Sequence, residues 1–334
     1  MPKKDFYSIV IPVYNGSRTL RKTLESVRRQ EDDDFEIVVV DDASTEELRP
    51  LIEEMGALYH RLPENSGPAT ARTAGVAAAR GQIIVFTDSD VWLPDHLIGN
   101  LRKAFAETGA ECVQGSFSKH CPHPNFFSQY KNLYNHYVIN QLGDWINTTY
   151  TSLTAVQKGF FLKGNGFDRN IRAASVEDRT LGESLISAGG KIYLAKRLEV
   201  VHDKFLDAKG FYRSQFNRSR DLAKLMQRQK ESKFLEKGKS FGTNTRAAML
   251  RLPVVALTLV FLFLGLIYPP LWLLALISFA AYCWLTRNWI SFLKKNKGWW
   301  FALRGQFADF TDAIATGLGV AMGMFEYRVL GRRY

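Results

Sequence analysis

An apolar run that stops on two carboxylates places the tightest limit on what this chain can fold into. In Gly81-Gln-Ile-Ile-Val-Phe-Thr-Asp88-Ser89-Asp90, residues Ile83 to Phe86 read as a buried strand, with Asp88 and Asp90 at its carboxyl end. Strand side chains alternate between faces, so Asp88 and Asp90 are expected on one side and Ser89 on the other. In open α/β sheets the rim beyond the strand ends is where ligands bind, and paired hard oxygens there suit Mg²⁺ or Mn²⁺ carrying phosphates. Asp-Ser-Asp is also ordinary turn chemistry, so its weight depends on its surroundings.

The preceding residues repeat one pattern. Ser8-Ile-Val-Ile-Pro-Val13 is a short apolar strand that Tyr14-Asn15-Gly16 turns into a helix with Leu20, Leu24 and Val27 at helical spacing. Phe35 to Asp42 is a second strand that finishes on carboxylates, and a third lies near Ala57–His60. The loop Asn65 to Gly75 then feeds an alanine-rich helix that delivers the chain to the Asp-Ser-Asp strand. Alternating strands and helices predict a mostly parallel, Rossmann-like sheet with helices on both faces, and the loops carrying Tyr14, Asp42 and Asp88/Asp90 should meet at one rim. Neither G-x-G-x-x-G nor G-x-x-x-x-G-K-[ST] follows any strand, which argues against a dinucleotide dehydrogenase and a P-loop NTPase.

Ser8-Ile-Val-Ile-Pro-Val-Tyr-Asn15, Val38-Val-Val-Asp-Asp42-Ala-Ser, Asn65-x-Gly-x-x-x-Ala-Arg72-x-x-Gly75 and Asp88-Ser-Asp90 follow one another in that order. Together they resemble the nucleotide-sugar half of a family 2 inverting glycosyltransferase of GT-A fold, over about residues 5–220. The resemblance implies that Pro12, Val13, Tyr14 and Asp42 line the base pocket and that Asp88 holds the ribose. It places Ser89, Gly67 and Arg72 with the donor, gives Asp90 the metal, Mn²⁺ or Mg²⁺, and implies a nucleoside diphosphate sugar, with UDP the expected nucleotide. Thr73 stands where an asparagine is common in the family.

Further on, Gly164-Asn-Gly-Phe-Asp168 precedes Ser175-Val-Glu177-Asp178, which opens a helix. Carboxylates in a first turn are stabilised by exposed amides and the helix dipole, which is explanation enough by itself. After the earlier motifs the pair resembles the family's Glu-Asp element, which would make Asp178 the general base. Leu198-Glu-Val-Val-His202 is a strand ending in a histidine, either structural or, at the position resembling a further metal ligand, a contact to metal or phosphate. Phe127, Tyr130, Tyr134 and Tyr137 share one helical face, as core or as an acceptor-side or membrane-surface wall. His120-Cys121-Pro-His123 lacks a second half at zinc-site spacing and reads as a loop. Gln215-Phe-Asn-Arg218 resembles the Gln-x-x-Arg-Trp element of processive synthases, but Ser219 replaces the tryptophan, which weakens a polymerase reading.

Leu252 to Thr286 is 35 residues without a charge, bracketed by Arg251 and Arg287. As one helix it would run about 50 Å against a hydrocarbon core of about 30 Å, so Tyr268-Pro-Pro270 is expected to fold it into a transmembrane hairpin. Residues 1–203 carry a net charge of −3 and residues 204–334 a net +14, so the basic surplus flanks the apolar run. That placement favours anionic lipid over nucleic acid and puts the catalytic domain on the cytosolic side. Three cysteines without disulfide-framework spacing fit a reducing compartment. Trp299 to Tyr327, interrupted by Arg304, Asp309 and Asp312, is expected to be an interfacial helix whose Gly319-x-x-x-Gly323 allows close packing.

The expected organisation is a catalytic domain over 1–225, a basic juxtamembrane segment over 226–251, a two-helix hairpin over 252–286 and a basic amphipathic end over 287–334. The expected partners are a sugar donor, a lipid-linked or glycan acceptor and membrane lipid. A polyprenyl phosphate acceptor, already anionic, would need no base; a membrane scaffold using the fold for nucleotide sensing is the non-enzymatic alternative.

Overall fold

The computed structural model describes residues 5–171, 175–231 and 246–333. The chain forms two compact units, residues 1–124 with 138–205 and residues 125–137 with 206–334. Most of the expected basic juxtamembrane segment, residues 232–245, lies outside the described residues.

The first unit starts with β1 (Tyr7–Val13), α1 (Ser17–Arg28), β2 (Phe35–Asp41), α2 (Arg49–Glu54), β3 (Leu58–Arg61), α3 (Pro68–Ala78) and β4 (Ile83–Phe86). It continues through β5 (Val91–Trp92), α4 (Leu97–Thr108), β6 (Cys112–Phe117) and α5 (Phe126–Asn140), the last running across the boundary between units. β7 (Trp145–Ile146), β8 (Thr154–Gln157), α6 (Lys158–Lys163), α7 (Glu177–Ser187) and β9 (Ile192–His202) complete it. Consecutive residues of β1, β2, β4 and β6 are buried, so both faces of the sheet are covered, which is why these strands read as unbroken apolar runs.

The sheet order is β3-β2-β1-β4-β8-β6-β9-β5, with β7 on β9. The stretch β3-β2-β1-β4 is parallel, as the strand-helix alternation predicts. Beyond it the expectation of a mostly parallel sheet is corrected: β8 runs antiparallel to both β4 and β6, and β5 and β7 run antiparallel to β9. The alternation stops after β4, and β8 is the four residues Thr-Ala-Val-Gln, too short to stand out as a strand. Helix α3 lies close on β1 and β2 because Gly75 has no side chain; a Cβ there would overlap Val10 and touch Val40.

The second unit is helical: α8 (Ala208–Glu231), α9 (Arg246–Leu264), α10 (Leu271–Lys297) and α11 (Trp299–Arg328), with the first part of α5. The uncharged run folds back where Tyr268-Pro-Pro270 was expected to divide it. Thr258 Oγ1 donates to Ser278 Oγ at 3.0 Å and Gly265 lies against Trp272, so α9 and α10 form an antiparallel hairpin. Its second arm does not stop at Thr286 but continues to Lys297. Among the described residues α10 alone is long and apolar enough to cross a membrane, and the apolar part of α9, Leu250–Leu264, is shorter. The aromatic stripe is core: Tyr130 is buried and, with Phe127, Tyr134 and Tyr137, packs against Phe211 and Trp289.

Helix α11 carries its acidic residues inward. Asp309 and Asp312, one turn apart on one face, meet Arg251 of α9 at 2.5 and 3.1 Å. Tyr282 of α10 donates to Asp309 at 2.9 Å, and Gln215 of α8 donates to Asp312 at 2.7 Å. Gly319 and Gly323 pack on α8, where a Cβ would overlap the carbonyl oxygens of Phe216 and Arg220. The small-residue spacing thus has the close-packing role its pattern suggested.

The contact at Gly75 supplies the first prediction. Gly75→Val should destabilise the first unit by about 1–3 kcal/mol through overpacking, read as a lower urea midpoint of the full-length protein. Gly75→Ala combined with Val10→Ala should cost less than the sum of the single changes, because the new Cβ then meets an emptied position.

Candidate active site

Three loops leave the parallel strands at one edge. Val13 pairs with Asp41 and Val10 with Phe86, so the turns after β1, β2 and β4 emerge side by side. The turn after β1 passes through Asn15 at φ 57° and Gly16 at φ 91°, and the Asn15 side-chain oxygen accepts the Thr45 N–H at 2.9 Å, tying it to the turn after β2. Pro12 is half-buried, Val13 is buried, and Tyr14 stands 52% exposed on this edge, an uncommon outlay of aromatic surface on water. Asp42 is buried, and its two carboxylate oxygens accept the backbone N–H groups of Ser66 and Gly67 at 2.8 and 2.9 Å. It therefore fixes the start of the loop that leads into α3.

Asp88 and Asp90 do converge, but strand alternation is not the cause. β4 ends at Phe86, and both carboxylates sit on the following turn, where the Val91 N–H donates to the Asp88 carbonyl at 3.2 Å. The chain then pairs as β5 with the end of β9, with Val91 opposite His202, which brings His202 Nε2 to 3.3 Å from Asp90 Oδ1. One ligand atom from each of Asp88, Asp90 and His202 lies within 4.8 Å of the others. Two carboxylates and an imidazole are a fitting donor set for a divalent cation such as Mn²⁺ or Mg²⁺. The His202 ring also stacks on Phe117, at 6.0 Å between centroids. Burial disfavours the Asp90 charge, yet neighbouring His202 and Lys204 outweigh it and hold the carboxyl well below its usual range. Any stability from that depression is complete above the ordinary value near 3.8 and fades only as pH falls below it, so Asp90 is an anion throughout the physiological range.

Arg72 lies behind this pair. Its side chain, 4% exposed, donates from Nη2 to Asp88 at 2.6 Å and from Nη1 to Glu177 at 3.3 Å. Burial opposes the guanidinium charge, and the two carboxylates more than restore it. Glu177 also accepts the Ser175 N–H at 2.8 Å, so the first turn of α7 is fastened to the Asp-Ser-Asp turn through one arginine. The second Asp88 oxygen accepts from Ser152 Oγ at 2.9 Å. Asp178, next to Glu177, is half-buried; its carboxylate accepts the Arg179 N–H at 2.7 Å, and its carbonyl accepts from Thr149 Oγ1 at 2.5 Å.

Residues 8–163 match the family model described as Glycosyl transferase family 2. Over 117 residues the chain is 33% identical to Glycosyltransferase GlyA of Streptococcus pneumoniae, an alignment covering 34% of this chain and 17% of that protein. It is equally 33% identical over 117 residues to the uncharacterized glycosyltransferase YfnE of Bacillus subtilis, covering 34% of this chain and 30% of that one. The chain thus spans under a third of the length of either relative. A mannosyltransferase, PcManGT from Pyrobaculum calidifontis, solved with GDP-Man and Mn²⁺, superposes with a TM-score of 0.56 at 17% identity, over 95% of this chain and 88% of that one. The likeness to the P. calidifontis structure supports a GT-A-like fold with a mixed sheet.

Reading by residue type brought Asp88, Asp90 and His202 together, and the fold joins them. Arg72, expected beside the donor, donates to Asp88 and to Glu177. Ser152, Lys204 and the Arg72 partnership of Glu177 were not foreseen, because they are contacts between distant stretches that carry no local pattern. Removing Arg72 should leave the buried Glu177 unpaired. Arg72→Met should therefore cost about 3–5 kcal/mol in urea unfolding, and adding Glu177→Gln should recover part of it.

Proposed function

We propose that the chain is a metal-dependent inverting glycosyltransferase that moves one sugar from a nucleoside diphosphate sugar, with UDP the expected nucleotide, to a lipid-linked or glycan acceptor. The observation that carries this reading is the Asp88–Asp90–His202 cluster, within 4.8 Å, whose two aspartates lie inside the region matching the family model. The P. calidifontis enzyme of similar fold was solved with GDP-Man and Mn²⁺, which supports a sugar nucleotide and a divalent cation as the classes to test first.

In this reading Asp90 and His202 hold the cation, with Asp88 directed to the ribose or sharing the metal. A bound divalent cation would supply positive charge to the departing diphosphate. Asp42 and Tyr14 border the base, and Gly67 and Ser89 border the donor. Asp178 takes the proton from the acceptor hydroxyl as that oxygen attacks the anomeric carbon on the side opposite the diphosphate, so the configuration inverts in one displacement. Arg72 aligns donor turn and base helix, so its effect on catalysis runs through Asp88 and Glu177. The apolar hairpin and the net +14 of residues 204–334 support placing the enzyme at the membrane, catalytic unit on the cytosolic side.

Asp90→Ala should abolish Mn²⁺-dependent donor binding by calorimetry, and full activity in that variant or in chelator would remove the metal from the mechanism. Asp178→Asn keeps size and polarity but cannot take a proton, so kcat should fall by about 100-fold or more while donor affinity holds. Equal loss of donor affinity would make Asp178 structural. Alkaline carbonate washing of membranes should leave the full-length protein in the pellet; its release would put the hairpin on the surface rather than across the bilayer.

A further inference from the structure

We propose that Asp203 is a positioning residue: clamped between Lys22 and His123, it fixes the end of β9 so that the adjacent His202 is presented to Asp90. The inference rests on the metal-site reading above but is decided by a separate measurement.

Asp203 is a carboxylate with 1% of its side chain exposed, a costly arrangement unless cations answer it. Lys22 Nζ, from α1, donates to Oδ2 at 3.0 Å, and His123 Nε2 stands 2.9 Å from Oδ1. The same Lys22 lies over the Trp92 ring, 5.2 Å from its centroid, so it touches both strands of the β5–β9 ribbon. His123 is held edge-on to Phe205 at 5.5 Å. The backbone of Asp203 reaches the metal cluster itself, because its N–H donates to the Asp90 carbonyl at 2.7 Å.

These contacts define what the ribbon needs. Trp92 pairs with Val201 and Val91 with His202, and the ribbon is only two residues long on the β5 side, too little backbone pairing to hold a side chain to a fraction of an ångström. Asp203 supplies the missing restraint. One of two neighbours meets Asp90 and the other is anchored to a helix and a loop from elsewhere in the same unit. Partners that orient a metal ligand commonly change metal affinity when removed, by about 10–100-fold. A role in stability alone would leave both the His202 environment and the metal affinity of the folded protein unchanged.

Full-length protein labelled with [¹³Cε1]histidine carries six reporters, and the His202 signal is assigned by its loss in His202→Gln. In metal-free protein, Asp203→Asn should move or broaden the His202 signal while the unfolding temperature shows a folded chain. An unmoved His202 signal overturns the proposal. Mn²⁺ titration followed by electron paramagnetic resonance should show affinity about tenfold or more weaker in Asp203→Asn, and unchanged affinity also overturns it. Asp90→Ala keeps the two readings apart. If it binds Mn²⁺ as the wild type does, the metal reading fails, and the metal-free His202 signal still decides the positioning claim. Should Asp203→Asn not fold, Lys22→Met takes its place, since Lys22 is 43% exposed, and the same signal decides.

Discussion

One guanidinium joins the two halves of the chemistry. Arg72 is buried, so its charge exists there only because Asp88 and Glu177 flank it, and those carboxylates belong to different parts of the proposed reaction. Asp88 is on the turn that carries the candidate cation site, and Glu177 precedes the candidate base. The Asp88 turn lies outside the sheet, and Glu177 stands at the very start of α7. A planar, always-charged fork reaching both is a stiffer link than two hydrogen bonds through mobile side chains. The price is desolvation of three charged groups, which their mutual attraction across two short contacts offsets.

The site is assembled by irregular backbone resting on regular backbone. Three parallel strands bring their exits together, and just beyond them lie Tyr14 after β1, Asp42 after β2, and Asp88 and Asp90 after β4. The antiparallel half of the sheet has a different task. By running back beside β5, β9 returns His202 to Asp90 from about 110 residues further along the chain, and by lying against β4, β8 holds the segment whose Ser152 reaches Asp88. A sheet parallel throughout would have sent these side chains to other edges.

Much of this was legible in the residues, for reasons that are local. Ile9 to Val13 and Ile37 to Asp41 are buried on both faces and so had to read as apolar runs, and Pro269-Pro270 had to break a helix. The convergence of Asp88 and Asp90 was foreseen for the wrong reason, since a turn achieves it and not the pleat. β6 and β8 escaped notice because Cys112-Val-Gln-Gly-Ser-Phe117 and Thr154-Ala-Val-Gln157 mix polar residues into strands; Gln114 is buried there, its side chain hydrogen-bonded to Tyr150, Leu153 and Thr154. The partners of Arg72, Asp88 and Asp203 are 64 to 181 positions away, apart from the Arg72–Asp88 pair itself, and no spacing rule reaches that far.

The polar knot of the helical unit has a consequence for the order in which the chain is made. Arg251 stands at the entrance to the uncharged run, and its partner Asp309 follows 58 residues later. During synthesis both arms of the hairpin are complete before either aspartate leaves the ribosome. Until α11 arrives, Arg251 has neither of these two carboxylate partners. Asp309 and Asp312 arrive on α11 with the carboxylates that answer this charge, so a later helix completes the contacts of an earlier one.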